Sequence, residues 1–292
     1  MIISIHIGMH CCHESLLLQS LKKNRGLFER ENVAFPAPWS YRSLLDNVVK
    51  RLEGAAAGDA AQDLVFDTLL QRDDVGRLIL TDPNFACVPD YIFRSSMLYD
   101  RVGEKTAALR NLFPGHPVEL FMSIRNPATF IPDAMKVNNK QRDYGTFMRN
   151  TDPASLLWSD VVTRIRDAVP DAPLTVWSDE DTPFVWGQVI REIAGLDPKT
   201  EVGGGFDVLE EVLLPEGLTR LQSYLKQHQP QNEMQLRRII AAFLDKYVRE
   251  EALETEIELP GWTVKLVEQM TERYEDDLFA IQRIPGVNFL AP

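Results

Sequence analysis

The chain has 292 residues, of which 45% are hydrophobic and 25% charged, as in a globular protein with a sizeable core. Its formal net charge of −12 argues against DNA, RNA or an anionic membrane surface as the main partner, although a small anion in a local basic pocket remains compatible. Three cysteines do not suggest a disulfide framework, and no stretch approaches the roughly 20 apolar residues of a membrane helix, so we expect a cytoplasmic protein.

Short apolar strands alternate with amphipathic segments through the first two-thirds of the chain. The strand candidates are compact apolar runs at residues 2–7, 77–81, 118–124 and 174–177. The helical patterns between and after them cover residues 14–28, 42–53, 99–112, 154–169 and 184–194. This order predicts an α/β fold, a three-layer sandwich around a mostly parallel sheet with right-handed crossovers.

The pattern changes after Gly195. Three helical segments follow, at 218–226, 233–253 and 264–284, and prolines and glycines separate them. We interpret residues 1–200 as the α/β core and residues 201–292 as a helical extension packed on it. The apolar tail, residues 285–292, is expected to dock on the body of the protein.

The segment after the first strand is the first candidate site. It consists of Gly8, Met9, His10, Cys11, Cys12, His13, Glu14 and Ser15, and it leads from a strand into a helix. Unpaired backbone N–H groups and the helix dipole favour an anion at such a place. A working phosphate loop also has glycines, which let the backbone approach the anion, and a lysine that neutralises it.

This segment resembles the donor-binding loop of the sulfotransferase family, whose enzymes use 3′-phosphoadenosine 5′-phosphosulfate (PAPS). In the family, a turn containing Gly or Pro precedes Lys-Ser/Thr-Gly-Thr-Thr/Ser. Gly8 and Ser15 match this pattern. The positions that differ are Cys11, Cys12, His13 and Glu14, which stand where the family has Lys, Ser/Thr, Gly and Thr.

A second likeness follows the strand at 118–124. Arg125-Asn126-Pro127 resembles the family element in which an arginine, together with a serine eight residues later, holds the 3′-phosphate of the nucleotide. Arg125 matches, whereas Asp133 stands at the serine position. A softer likeness is the acidic turn that follows residues 174–177. The resemblance spans about residues 2–196 and implies a fold of the P-loop NTPase and sulfotransferase kind.

The resemblance implies sulfonate transfer from PAPS to a hydroxyl of a sugar or small metabolite, without a metal. The missing lysine and the carboxylates of Glu14 and Asp133 predict that donor binding is strongly weakened or lost. Two charged hydrogen bonds at about 1.5–3 kcal/mol each correspond to about three orders of magnitude in affinity. The alternative is a non-catalytic binding or regulatory protein on the same scaffold, with a small anionic or sugar-like ligand.

No catalytic base is assigned. Asp82 and Glu180 follow strands and could act as bases, but residues at such positions more often cap the next helix. The histidines and cysteines of the loop raise a further alternative, because zinc accepts these residue types. Their spacing is not that of a zinc finger, and we predict no metal. A last alternative is a thiol at Cys11 or Cys12, activated by the helix N-terminus with a neighbouring histidine as base.

Overall fold

A computed structural model describes residues 1–138, 143–250 and 259–292. Its centre is a six-stranded sheet in the order β2-β3-β1-β4-β5-β6, in which every pairing is parallel. The strands are β1 (Ile2–His6), β2 (Val33–Ala34), β3 (Arg77–Thr81), β4 (Val118–Ile124), β5 (Leu174–Ser178) and β6 (Val287–Leu290). The predicted α/β sandwich with a parallel sheet is confirmed.

The helices of the described residues surround this sheet. They are α1 (Glu14–Lys22), α2 (Arg25–Arg30), α3 (Pro38–Leu52), α4 (Asp59–Leu69), α5 (Val102–Arg110), α6 (Pro127–Val137), α7 (Tyr144–Met148), α8 (Trp158–Ala168), α9 (Thr182–Ala194), α10 (Asp207–Val212), α11 (Pro215–Gln227), α12 (Glu233–Tyr247) and α13 (Val264–Ile281). Within these described ranges, no helix has the length and apolar character needed to cross a membrane.

Alternating strand residues build the two cores on either side of the sheet. Ile3 and Ile5 of β1 point to the larger core, which also holds side chains of α3 to α6, α8 and α13. Ile79, Phe121 and Trp177 point to the opposite core, with α1, α2 and α9. Successive side chains of a strand face opposite sides of a sheet, so both faces of these apolar strands are covered. This explains why the strands read as nearly continuous apolar runs.

The predicted helical extension contributes to the fold in two places. Helices α10 to α12 form a small cluster of their own around Leu221 and Ile240. Helix α13 packs on α6 and α8, and β6 pairs with β5 as the last strand of the sheet. The tail therefore docks as a strand. The boundary at residue 200 stays a prediction. The helix predicted over 233–253 ends earlier, at Tyr247, because the backbone is extended at Val248, and residues 251–253 of that prediction lie outside the described residues.

Several sequence-based boundaries need correction. The helix predicted over 14–28 is two helices, because Asn24 interrupts it and donates to Ser20 O and Gly203 O, both at 2.8 Å. The elements that the patterns missed are β2, α4, α6, α7, α10 and β6. Helix α6 begins directly at the Arg-Asn-Pro motif, where Asn126 caps it by accepting the Ala128 N–H at 2.9 Å.

Candidate functional site

The candidate site lies where β1, β4 and β5 end. Strand β1 sits between β3 and β4, so the direction of the crossovers reverses there, and open α/β sheets bind ligands at such a point. Helix α1 starts behind β1, at Glu14, and Arg125 directly follows β4. Arg125 Nη1 donates to Cys11 O at 2.7 Å. The two segments that the sequence analysis paired are therefore in contact.

The loop between β1 and α1 has an unusual backbone. Gly8, His10, Cys11 and His13 all have φ between 53° and 70°. Such values are uncommon for residues other than glycine. At Gly8 a side chain is excluded as well, because a Cβ there would lie 2.5 Å from Asp82 O. The loop thus keeps a tight glycine turn at its start while carrying side chains that a phosphate loop lacks.

The first half of this loop is anchored in the core. Met9 is fully buried, and its carbonyl accepts the Tyr99 hydroxyl at 2.6 Å. His10 is buried too, with Nδ1 2.9 Å from Tyr99 Oη and Nε2 3.3 Å from Asn84 Oδ1. Burial lowers the pKa of His10 to about 4, so its ring is neutral at physiological pH. Both residues hold the loop in place.

Glu14 brings a carboxylate to the mouth of helix α1. Its Oε2 accepts the Cys12 N–H at 3.2 Å, and its backbone N–H also contacts the carboxylate. Burial raises the pKa of Glu14. In a phosphate loop the backbone N–H groups at this place face a bound anion. In this chain the carboxylate of Glu14 occupies that place instead.

Arg125 is surrounded by acceptors of the same chain. Besides Cys11 O, it donates from Nε to Thr129 Oγ1 at 3.1 Å and forms an ion pair from Nη2 to Asp133 Oδ2 at 2.9 Å. A second carboxylate, Asp179 Oδ2, lies 3.9 Å from Nε. Asp133, which stands at the serine position of the sequence likeness, therefore binds Arg125 directly.

His13 and Asp179 form a second charged pair at the same edge. His13 Nδ1 lies 2.7 Å from Asp179 Oδ1, and Nε2 lies 3.6 Å from Glu211 Oε2. Burial opposes the charged ring, but the hydrogen bond and charge of Asp179 outweigh it, so the pKa of His13 is raised. The sequence analysis assigns no site role to Asp179. The available signal was the acidic turn after β5, the neighbour of β4.

The remaining residues of the loop do not carry an activated thiol. Burial is the main cause that raises the pKa of Cys11 to about 12 and that of Cys12 well above its usual value, and Glu14 acts in the same direction. A nucleophilic thiol needs the opposite shift. The thiol alternative is therefore not supported. Ser15 is exposed on the first turn of α1.

No protein-family model, curated protein or solved structure matches this chain. The likeness to sulfotransferases stays a prediction from the sequence, made on the loop from Gly8 to Ser15 and on Arg125.

The two carboxylates considered as bases, Asp82 and Glu180, are engaged by other groups of the chain. Over residues 1–138, 143–250 and 259–292, no group of three or more His, Cys, Asp or Glu side chains is arranged to hold a metal ion. Asp82 accepts the Asn84 N–H at 2.8 Å and pairs with Arg42. Glu180 accepts the Asn126 N–H at 2.8 Å. Both carboxylates thus have structural partners.

Proposed function

We propose that this chain is a divergent sulfotransferase-like protein in which binding of PAPS, and with it sulfonate transfer to a hydroxyl acceptor, is strongly weakened or lost. One observation carries the proposal: carboxylates of the chain occupy both anion-binding positions that the family motifs mark. Glu14 accepts the Cys12 N–H at the mouth of α1, and Asp133 forms an ion pair with the guanidinium of Arg125.

The electrostatic cost of donor binding follows from these contacts. A phosphate at the helix mouth would have to displace the carboxylate of Glu14, and no lysine stands at position 11 to neutralise either anion. A 3′-phosphate at Arg125 would have to displace Asp133 and would meet Asp179 nearby. Each lost charged hydrogen bond is worth about 1.5–3 kcal/mol, so the two positions together reduce affinity by about a thousandfold or more.

On this proposal the scaffold acts by binding, as a non-catalytic or regulatory protein. A small anionic or sugar-like molecule is the proposed ligand class, and no metal is required. Nucleic acid and membranes are disfavoured as partners by the net charge of −12. We also propose a cytoplasmic location, because Cys11, Cys12 and Cys87 are all free thiols.

Calorimetric titration with PAPS and with adenosine 3′,5′-bisphosphate tests the proposal. The wild-type protein should show no saturable binding in the micromolar range. A variant carrying Cys11→Lys, His13→Gly, Glu14→Thr and Asp133→Ser restores the family residues at four of the five differing positions and should gain affinity for the bisphosphate. Asp167→Ser, an exposed carboxylate on α8, serves as the charge control and should gain none.

Two outcomes would count against the proposal. Micromolar affinity of the wild-type protein for either nucleotide would show that the donor site is open. A restored variant that retains the circular dichroism spectrum of the wild type but gains no affinity would show that these carboxylates are not what closes the site.

A further inference from the structure

Three buried polar atoms of the central strands have no hydrogen-bond partner among the described residues. They are His6 Nε2, Ser123 Oγ and Trp177 Nε1, and none of the three residues is more than 1% exposed. Buried polar atoms in folded proteins are nearly always paired, either with the protein or with ordered water. These three atoms therefore need a partner that the described residues do not supply.

The alternation of side chains along the strands places the three groups on one face of the sheet. The residue that precedes each of them in its strand points to the larger core. Because successive side chains of a strand face opposite sides, His6, Ser123 and Trp177 all point to the core formed with α1 and α9. Ser123 and Trp177 are direct partners in the pairing of β4 with β5, and β1 pairs with the other edge of β4.

The rings of His6 and Trp177 lean towards each other over β4. Strands β1 and β5 flank β4, and strands two apart in a sheet are separated by about 10 Å. The two ring centroids are only 5.8 Å apart, and the ring planes differ by 17°. Ser123 lies on β4 between the two flanking strands, so its hydroxyl is next to both rings.

The hydrogen bond of the other ring nitrogen sets the direction of His6 Nε2. Nδ1 lies 2.9 Å from Thr81 Oγ1 on β3, which pairs with β1 on the side away from β4. The two nitrogens of an imidazole point in divergent directions, so Nε2 is aimed away from β3 and towards β4 and β5. Burial lowers the pKa of His6 to about 4, so the ring is neutral, with one nitrogen that donates and one that accepts.

We infer that one ordered water molecule binds between His6, Ser123 and Trp177. The water accepts the indole N–H of Trp177, which can only donate, and it donates one proton to His6 Nε2 and one to Ser123 Oγ. This arrangement requires the tautomer of His6 in which Nδ1 carries the proton and donates to Thr81 Oγ1. A buried water typically makes about three hydrogen bonds to groups of this kind. The inference does not depend on the proposed function, because none of the three residues belongs to the candidate site.

Other occupants match these atoms less well. A metal ion cannot bind an indole N–H, and an anion would meet no charged partner, because His6 is neutral. The indole and the imidazole do not satisfy each other, since both nitrogens lack a partner. Water can accept one hydrogen bond and donate two, which one obligate donor and two acceptors require.

The proposed water lies beneath the loop that follows β1. Cys12 in this loop is only 3% exposed, and the hydroxyl of Ser123 acts on the pKa of its thiol, so the two side chains are neighbours. A Ser123 oxygen that accepts a proton from the water keeps its own O–H to donate towards the sulfur of Cys12. The water thus connects β1, β4 and β5 with the buried part of the loop.

The cavity beside α8 differs from this site. It has a volume of about 460 Å³, and its lining includes Asp160 and Arg164. Two connections border it, those before α5 and α8, in which Ser96 and Arg149 have left-handed backbone with φ of 54° and 49°. Asp160 is exposed to solvent, and Arg164 donates to three backbone carbonyls. These charged groups of the cavity therefore do not need a ligand.

Nuclear magnetic resonance of the full chain tests the inference through contacts between indole protons and water. The indole N–H of Trp177 should show a direct rotating-frame Overhauser contact with a long-lived water. Trp158 is the matched control, because it is equally buried and its Nε1 donates to Arg125 O at 2.8 Å, so it should show none. The nitrogen-15 shifts of His6 should report the tautomer with the proton on Nδ1.

Variants and crystallography assign the water to this place. Ser123→Val puts methyl groups where the water binds and should abolish the contact with Trp177. Thr175→Val makes the same kind of change two residues before Trp177, on the same face of β5, and should keep the contact. If Ser123→Val does not fold, Ser123→Ala removes one hydrogen bond and should shorten the residence time of the water about tenfold, measured by deuterium relaxation dispersion.

Each of these measurements can overturn the inference. It fails if the indole proton of Trp177 shows no contact with water, or if a high-resolution crystal structure shows no ordered oxygen within hydrogen-bond distance of the three atoms. It also fails if Ser123→Val keeps the contact, if Ser123→Ala leaves the residence time unchanged, or if the proton of His6 is on Nε2. None of these results bears on the nucleotide titration.

Discussion

Charged side chains have different surroundings in two regions, the edge formed by β1, β4 and β5 and the cavity beside α8. At the strand edge, Arg125 meets Asp133 and Cys11 O, and His13 meets Asp179. In the cavity, Asp160 is exposed and has no donor among the described residues, and Arg164 donates to backbone carbonyls while Asp160 and Asp100 act on its charge. The charges of the first region are paired with one another, whereas in the second the carboxylate of Asp160 is exposed to solvent and the guanidinium of Arg164 is held by backbone carbonyls.

This difference shows that residue types alone are a poor guide to a binding site. The strand edge has the arginine and the helix N-terminus that a phosphate site needs, but internal acceptors already occupy them. The cavity has no recognisable motif, and its one carboxylate, Asp160, is exposed to solvent. Removing one member of a satisfied pair should therefore destabilise the protein, whereas neutralising a free group should leave stability almost unchanged.

The largest effect is expected from Arg125→Ala. The change removes the cation that Asp133 and the nearly buried Asp179 share, so that only the exposed Lys136 remains beside Asp133 and only His13 beside Asp179, and breaking a buried pair from one side costs about 3–5 kcal/mol. We expect a loss of about 3 kcal/mol in the free energy of unfolding, measured by urea denaturation. Lys136→Ala removes the exposed partner of Asp133 and should cost less than about 0.5 kcal/mol. Equal losses would mean that Arg125 is not the central partner.

Gly8→Ala should cost about 2–3 kcal/mol. The backbone has φ 70° at this position, and the added Cβ would lie within 2.6 Å of Asp82 O and Pro83 Cα. Gly26→Ala is the matched control, because nothing lies within 4 Å of its Cβ position and it sits in a helix. The control should be neutral or stabilising by up to about 1 kcal/mol. A neutral Gly8→Ala would contradict the described turn.

Tyr99→Phe should cost about 2 kcal/mol. It removes a buried hydroxyl and leaves Met9 O and His10 Nδ1 without that partner, so the loop after β1 loses an anchor. Tyr224→Phe, at an exposed tyrosine, should change the free energy of unfolding by less than about 0.5 kcal/mol. The same urea titration measures both, and similar values for the two variants would refute the assigned contacts.

The pKa values of the two histidines of the loop, His10 and His13, should be shifted in opposite directions. Nuclear magnetic resonance of the ring protons should place the pKa of His10 near 4 and that of His13 above 6.5. The neutral His10 destabilises the fold as pH falls from 6.5 towards 4, because the unfolded chain then binds a proton that the folded chain does not.

The contribution of His13 to stability depends on pH in the opposite direction. Its stabilising contribution is complete below pH 6.5 and is lost as pH rises through its raised pKa. In His13→Gln the loss of stability relative to wild type should therefore be larger at acidic than at alkaline pH. A loss that does not vary with pH would show that Asp179 does not hold a charged ring.

The smallest effect is expected from Asp160→Asn. Because its carboxylate has no partner among the described residues, neutralisation should change the free energy of unfolding by less than about 0.5 kcal/mol. Asp179→Asn, at the satisfied edge, should cost about 2 kcal/mol, because it weakens the contacts with His13 and Arg125. A large effect at Asp160 would remove the contrast between the two regions.

Much of the fold followed from local patterns. Compact apolar runs located β1, β3, β4 and β5, since a strand buried on both faces has no polar alternation. The position of Arg125 near the loop after β1 was also predictable, because the carboxyl ends of parallel strands share one edge of the sheet. The two-residue strand β2 and the pairing of β6 carried too little periodicity to be found.

The side-chain contacts in the two regions could not be predicted from local sequence patterns. Whether Asp133 repels a ligand or neutralises Arg125 depends on the direction of α6, and whether Asp179 reaches His13 depends on how β5 lies beside β4. The cavity depends on two strained connections that are far apart in the chain. Periodicity records which residues are buried locally, whereas pairing between distant side chains is set by the packing of whole elements.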